Sequence, residues 1–498
     1  MIVKIRLLFI YCLILGVFLY SCSGRKETAF ISPHLSNLEV AKESIDYYAN
    51  NPNLFNAQVG IYIELLDTGE IIYKRNEHKL FMPASNMKLF TSAVALLKFG
   101  PNFQYQTNIF IKDSIINGTL HGDIVIKGSG DPTIEPTFST GDVRNILVTW
   151  ADTLLNLGIN AIDGDIVGDE SYFQNERLGY GWQWDYESYY YAAQVGALSI
   201  NENCVDVTVI ANEQVGLPPK IEIFPPTNYF SVENTATTIA PDSVRTLNVT
   251  RVRSKNIIVV KDQIPQNKPV YNQSITVEDP GLFFVHLFAQ VLMERGIQFR
   301  GELKTVKENG IIDYLNLKEV IIHKSPTLAT IIKLMNKPSN NLYAEQLLLT
   351  LGAEYGAAGT AEEGVKVINQ TLSRMGIPEN EFIMCDGSGL SRHNLITPSA
   401  IVALLRYMSK HNYYDSFYDS LPIAGIDGTI KNRLKGSLAE NNVRAKTGHV
   451  GRVSNLSGYI NSINGRNYIF SILVNNFTVP TKAVHHLQES VCLIICQI

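Results

Sequence analysis

The chain has 498 residues, 45% of them hydrophobic and 18% charged, an ordinary balance for globular bodies with sizeable cores and a length that suits about three domains. A formal net charge of −5 leaves no basic surplus for a nucleic-acid partner. Six cysteines include no C-x-x-C pair, and no H-E-x-x-H string occurs, so no metal site is expected.

In chain order, Lys4 and Arg6 precede an apolar run over 7–20 and then Ser21-Cys22-Ser23-Gly24. The run is short of the roughly 20 residues that span a bilayer, and its flanks are those of an export signal. Leu19-Tyr20-Ser21-Cys22 resembles the lipobox of bacterial lipoproteins, which implies a signal peptide over 1–22 and a lipidated Cys22. The expected location is the periplasm, membrane-anchored through that lipid, or secreted to the periplasm if Cys22 stays bare. Cys204, Cys385, Cys492 and Cys496 remain, and free buried thiols are expected for them.

Residues 57–73 read as strand, Asp67-Thr68-Gly69 turn and strand, and 83–97 as a helix closed by Gly100-Pro101. Further helices are expected near 327–335, 342–351, 362–375 and 398–408. From Val443 the pattern turns to strands: one carries Lys446-Thr447-Gly448, and two more flank an Asn464-Gly465 turn. Both ends therefore build one discontinuous α/β (α+β) domain over 28–101 plus 314–498, an antiparallel sheet flanked by helices. Residues 102–313 read as a long, mainly β insertion of one or two small domains. Within it Gly122-Asp123-Ile124-Val125 and Gly164-Asp165-Ile166-Val167 echo one another, as a weak repeat or by chance. Tyr180, Tyr186, Tyr189, Tyr190 and Tyr191 crowd around Trp182 and Trp184, which suits an aromatic core, a lid or sugar stacking.

Three short strings carry chemistry. In Ser85-Asn86-Met87-Lys88 the lysine follows the serine by three residues, which on a helix puts both on one face. A serine hydroxyl needs a neighbour to take its proton, and a shielded lysine near a second cation can do so. A serine at a helix start also gains free N–H groups for an oxyanion. Ser23-Gly-Arg-Lys26 has the same spacing but lies in the tether. Ser-x-Asn occurs at Ser199, Ser254, Ser339 and Ser462; Ser339-Asn340-Asn341 is favoured because it forms a short loop between two helices, with Ser199 as the chief decoy. Lys446-Thr447-Gly448 occurs once, where lysine offers charge to a carboxylate and glycine lets a peptide approach an edge strand. No G-x-S-x-G elbow, Walker loop or G-x-G-x-x-G is present, and His393 and His449 are the histidines open to a triad.

The order of these strings, with Gly122-Asp-Ile-Val-Ile-Lys-Gly-Ser-Gly-Asp-Pro132, Met335-Asn-Lys-Pro-Ser-Asn-Asn-Leu-Tyr-Ala-Glu-Gln346, Asp386-Gly-Ser-Gly-Leu-Ser-Arg392 and Leu421-Pro-Ile-Ala-Gly-Ile-Asp-Gly-Thr429, resembles the D-alanyl-D-alanine carboxypeptidase/endopeptidase family of class C penicillin-binding proteins. The gap of 254 residues from Ser85 to Ser339 fits that family and not β-lactamases. The resemblance implies a penicillin-binding-protein/β-lactamase-like transpeptidase domain and a serine DD-peptidase without cofactor, acting on peptidoglycan stem peptides, with β-lactams as covalent inhibitors. It further implies Ser85 as nucleophile, Lys88 as base, Ser339 and Asn341 as proton relay and amide holder, and Lys446 as the charge that keeps Lys88 neutral and meets the substrate carboxylate. Thr447 and Gly448 would line the substrate, and the backbone N–H groups of Ser85 and His449 would hold the oxyanion. His449 is a departure, because the family usually has a hydroxyl residue there. The insertion, which supplies none of the three strings, is expected to shape access by cross-linked substrate. A β-lactamase and a lipid-anchored binding protein with a relic site are the competing readings.

Overall fold

A computed structural model describes residues 38–174, 177–307 and 312–498. The expected signal segment and Cys22 lie outside them. The two chain ends meet in a five-stranded antiparallel sheet, in the order Ile71–Arg75, Gln58–Leu65, Asn467–Asn475, Val453–Asn461 and Val443–Val450. Gln58–Leu65 and Asn467–Asn475 carry apolar residues on both sides of the strand because helices cover both faces. On one face Leu38–Ala49 and Thr481–Cys496 bury Ala41, Ile45, Val484 and Val491 against Ile61 and Val474. On the other, Met87–Phe99 and Pro398–Ser409 bury Phe90, Val94, Ile401 and Leu405 against Tyr459 and Leu473. The four expected downstream helices form at Leu328–Asn336, Asn341–Tyr355, Ala361–Arg374 and Pro398–Ser409. The two terminal helices were not expected: Leu38–Ala49 buries only two alanines and one isoleucine, too weak a stripe to read.

The middle of the chain has its own core. Its five-stranded sheet runs Leu303–Val306, Ile166–Asp169, Ile124–Lys127, Gln106–Lys112 and Leu317–Lys324. The echoing Gly-Asp strings are neighbours in it: Ile124 pairs Ile166 and Val125 pairs Val167, in parallel. A Cβ on Gly164 would lie 2.2 Å from the Gly122 carbonyl oxygen, so close approach of the two turns requires glycine. Helices Arg144–Asn156 and Pro280–Glu294, unread in the sequence, pack Trp150, Phe284 and Phe288 behind this sheet. A second, wholly β part sets Cys204–Ile210 between Lys220–Phe224 and Val270–Thr276. Because Leu317–Lys324 pairs with Gln106–Lys112, this body extends past residue 313, where the sequence placed its end. Cys204, Cys385, Cys492 and Cys496 are all free thiols.

Candidate active site

Ser85 sits in the one-turn 3-10 helix Ala84–Asn86 that feeds Met87–Phe99, not in the α-helix itself. The sheet fastens this turn. Asn455 Nδ2 donates to the carbonyls of Met82 (2.9 Å) and Pro83 (2.8 Å), Asn475 Oδ1 accepts from Met82 N–H (2.7 Å), and Asn86 Nδ2 donates to Ser457 Oγ (3.3 Å). Lys88 follows, one turn along. Its Nζ has three partners: Ser85 Oγ at 3.0 Å, Asn341 Oδ1 at 2.6 Å and the Ser388 carbonyl at 2.8 Å. Asn341 is held in that orientation because its Nδ2 donates to the Tyr191 carbonyl at 2.7 Å. A neutral amine has two N–H bonds and one lone pair. Two of the three partners can only accept, so they take both hydrogens and the lone pair is left for the Ser85 hydroxyl. The geometry therefore makes Lys88 a proton acceptor aimed at Ser85.

The electrostatics agree. Lys88 is 0% exposed, and burial pulls its pKa from 10.5 down to about 7 against the opposite pull of Glu345 and Asp386. Burial, and not the second lysine, is thus the first cause of its neutrality. Both carboxylates spend their oxygens on the loop that presents Ser388. Glu345 accepts from the N–H groups of Gly387 (3.0 Å) and Ser388 (2.8 Å). Asp386 accepts from Gly389 N–H (2.8 Å), Ser391 N–H (2.6 Å) and Trp182 Nε1 (2.9 Å). Burial, then Asp386, pushes Glu345 up to about 7. The Asp386–Arg392 string acts through the Ser388 backbone carbonyl, which leaves no mark in residue type.

Lys446 approaches from the edge strand. It is also 0% exposed, and its Nζ donates to Ser339 Oγ at 2.8 Å and to the Thr447 carbonyl at 3.0 Å. Burial, reinforced by the charge of Lys88, holds it well below its usual range. Ser339 has φ of 69°, a left-handed residue just ahead of the helix that begins at Asn341. Gly448 lies so close to the Ser85 turn that a Cβ would stand 2.3 Å from the Pro83 carbonyl oxygen. Thr447 Oγ1 donates to Thr429 Oγ1 at 2.8 Å, which gives the Leu421–Thr429 string a place at the cleft. His449 is exposed and pairs in register with Ser454.

Thus Ser85, Lys88, Ser339, Asn341 and Lys446 converge, as the strings require. Ser199 does not join them. It is 2% exposed within the inserted body, where its Oγ accepts from Gln346 Nε2 (2.6 Å) and Asn203 Nδ2 (3.0 Å), a structural joint. His393 packs on Tyr180, with ring centroids 5.3 Å apart. The aromatic cluster is not core: Tyr180, Trp184 and Tyr190 are exposed, while Tyr191 lends its carbonyl to Asn341. The inserted body therefore reaches the catalytic centre through the Tyr191 carbonyl, a contact additional to the role in substrate access expected of it. No sequence rule would have found that contact, since any residue has a carbonyl.

The chain matches the D-Ala-D-Ala carboxypeptidase 3 (S13) family over residues 41–493. It is 32% identical over 457 residues to a D-alanyl-D-alanine carboxypeptidase of Actinomadura sp., covering 89% of this chain and 82% of that one. It is 28% identical over 472 residues to the D-alanyl-D-alanine carboxypeptidase DacB of Haemophilus influenzae, covering 93% and 92%. The crystal structure of penicillin binding protein 4 (dacB) from Haemophilus influenzae superposes with a TM-score of 0.79 at 24% identity, over 93% of this chain and 100% of that one.

Proposed function

Because the chain belongs to the D-Ala-D-Ala carboxypeptidase 3 (S13) family and is a serine DD-peptidase of peptidoglycan, we propose that it works through an acyl-enzyme on Ser85 with Lys88 as the base. The observation that carries this reading is the amine of Lys88, buried and left with one free lone pair 3.0 Å from Ser85 Oγ. Ser85 Oγ attacks the carbonyl carbon of the penultimate D-alanine, its proton passes to Lys88, and the carbonyl electron pair moves onto oxygen. Backbone N–H groups of Ser85 and His449 hold that oxyanion. Collapse breaks the C–N bond, and the leaving amine takes a proton relayed by the Ser339 hydroxyl beside Lys446 and Asn341. Water then repeats the sequence, breaks the ester and frees Ser85. Thr447, Gly448 and His449 line the substrate's path along the edge strand. A β-lactam follows the first half of this course, but its expelled nitrogen stays tethered to the acyl group and blocks water. No cofactor takes part.

The test is product analysis. Purified protein should release free D-alanine from a stem pentapeptide, cleave D,D-cross-links of a muropeptide dimer, or both, and Ser85→Ala should do neither. Release by Ser85→Ala at the wild-type rate contradicts the reading.

We further propose that the mature protein is a periplasmic lipoprotein, tethered to a membrane through acyl chains on Cys22. Each buried CH₂ adds about 0.8 kcal/mol, so two or more chains give a stable anchor. Mass spectrometry of the native protein should find a lipidated N-terminal Cys22, and Cys22→Ser should move the protein to the soluble fraction. An unmodified N-terminus beyond residue 22 would mean simple secretion.

A further inference from the structure

The inserted body grips the start of helix Asn341–Tyr355 at four residues, Asn340, Asn341, Tyr343 and Gln346. Asn341 donates to the Tyr191 carbonyl, and Gln346 Nε2 donates to Ser199 Oγ and the Gly196 carbonyl (2.9 Å). Two carboxyl groups hold the other two. The Tyr343 hydroxyl donates to Glu135 Oε1, and Asn340 Nδ2 donates to Glu202 Oε2 at 2.7 Å. Glu135 and Glu202 also face one another within hydrogen-bonding reach. Glu135 is 7% exposed, and Glu202 is partly buried. Two ionised carboxylates there would repel in a poorly solvated seam, whereas one shared proton lets each bond the other and its own donor.

The backbone is bent to make this contact. Asn201, Glu202 and Asn203 hold φ of 51°, 53° and 54°, three left-handed non-glycine residues in a row. Such strain persists only where the surroundings over-determine it, and it gathers at functional contacts. What Glu202 reaches is Asn340, whose own Oδ1 caps the helix by accepting from Tyr343 N–H at 3.3 Å. Asn340 stands between Ser339, which meets Lys446, and Asn341, which orients Lys88.

We propose that Glu135 and Glu202 form a one-proton clamp through which the inserted body positions the Ser339-Asn340-Asn341 corner for acylation. They are positioning residues, since neither touches Ser85 or Lys88. Burial, opposed by the Tyr343 hydrogen bond and aided by Glu202, holds Glu135 up to about 7, and burial raises Glu202 as well. The charged or titratable groups around them are Tyr343 on Glu135, Asp206 and the Cys204 thiol towards Glu202, and Asp131 further along towards Tyr343. None of these is a cation, so the pair keeps its proton until the pH rises. Above that point both carboxylates ionise, the pair separates, and acylation falls.

The inference rests on Lys88 as the base, and one experiment separates the two. The second-order rate of acylation by a fluorescent penicillin is measured from about pH 5 to pH 10 for the full chain and two variants. In the wild type the rate should trace a bell, with a limb that rises towards about pH 7 as Lys88 loses its proton and a limb that falls above it as the clamp loses its own. Glu135→Gln keeps an acceptor for Tyr343 and a donor for Glu202 without a titrating proton. It should hold the rate at neutral pH within about twofold, keep the rising limb and flatten the falling one. Glu202→Ala should lower the rate about tenfold throughout; should it fail to fold, the Glu135→Gln profile decides alone. A wild type with no falling limb, or a Glu135→Gln profile that coincides with the wild type, overturns the clamp. A missing rising limb instead overturns the assignment of Lys88.

Discussion

Acylation by benzylpenicillin should drop by about 10³-fold in Lys88→Met, the size expected when a positioned general base is removed. Methionine fills the same buried channel and keeps the apolar contacts, so the loss reports the amine and not a cavity. Lys88→Arg should fare no better, although it retains charge: a guanidinium stays protonated and offers no lone pair to Ser85. Stopped-flow acylation kinetics read both variants. A Lys88→Arg protein within tenfold of the wild type would show that positive charge, and not proton abstraction, is what position 88 supplies. Stability gives an independent check with a defined sign. The folded pKa of Lys88, about 7, lies below its unfolded value of 10.5. Its contribution to stability is therefore fully present above pH 10.5 and is lost as pH falls through about 7, where an ammonium must be buried. The melting temperature of the wild type relative to Lys88→Met should accordingly rise between those two values.

The second large effect is expected at Gly389. Its φ is +84°, and a Cβ there would stand 1.8 Å from the carbonyl oxygen of Ala84, the residue before the nucleophile. Gly389→Ala thus incurs backbone strain of about 1–3 kcal/mol and a further overpacking cost of about 1–3 kcal/mol. Relief requires the Ser85 turn or the Ser388 carbonyl to move, and a misplacement of about 1 Å can cost 10²-fold in rate. The expected result is a lower melting temperature together with acylation slowed by one to two decades, about 10- to 100-fold. Gly376→Ala is the control: φ is +79° but no atom lies within 4 Å of its added Cβ. It should show the strain alone, with acylation unchanged. If both variants acylate alike, the close approach at Gly389 has no bearing on the nucleophile.

What was legible in the sequence was the chemistry that needs a particular residue at a particular spacing. Ser85 and Lys88 had to be one turn apart, Lys446 had to stand on an edge strand before glycine, and Ser339 had to lie on a loop between helices. All of these the structure brings together. The decoy Ser199 matches its string equally well; it is buried against Gln346, whereas Ser339 meets Lys446. The parts that stayed hidden act through backbone atoms or through packing. The carbonyls of Ser388 and Tyr191 fix the amine of Lys88 and the amide of Asn341, and a carbonyl has no residue type. Glu345 reads as one more charge on a helix, yet its carboxylate ties down two N–H groups of the loop that carries Ser388. Leu317–Lys324 has too polar an alternation to announce a strand of the inserted sheet, so the boundary was placed too early.

The most direct test of the acyl-enzyme assignment is the site of the penicillin adduct. The full chain is incubated with benzylpenicillin, digested, and its peptides are mapped by mass spectrometry. One stoichiometric adduct on Ser85, absent from Ser85→Ala and strongly slowed in Lys88→Met, is the predicted result. An adduct on Ser388 or Ser339, or full labelling of Ser85→Ala, would contradict it.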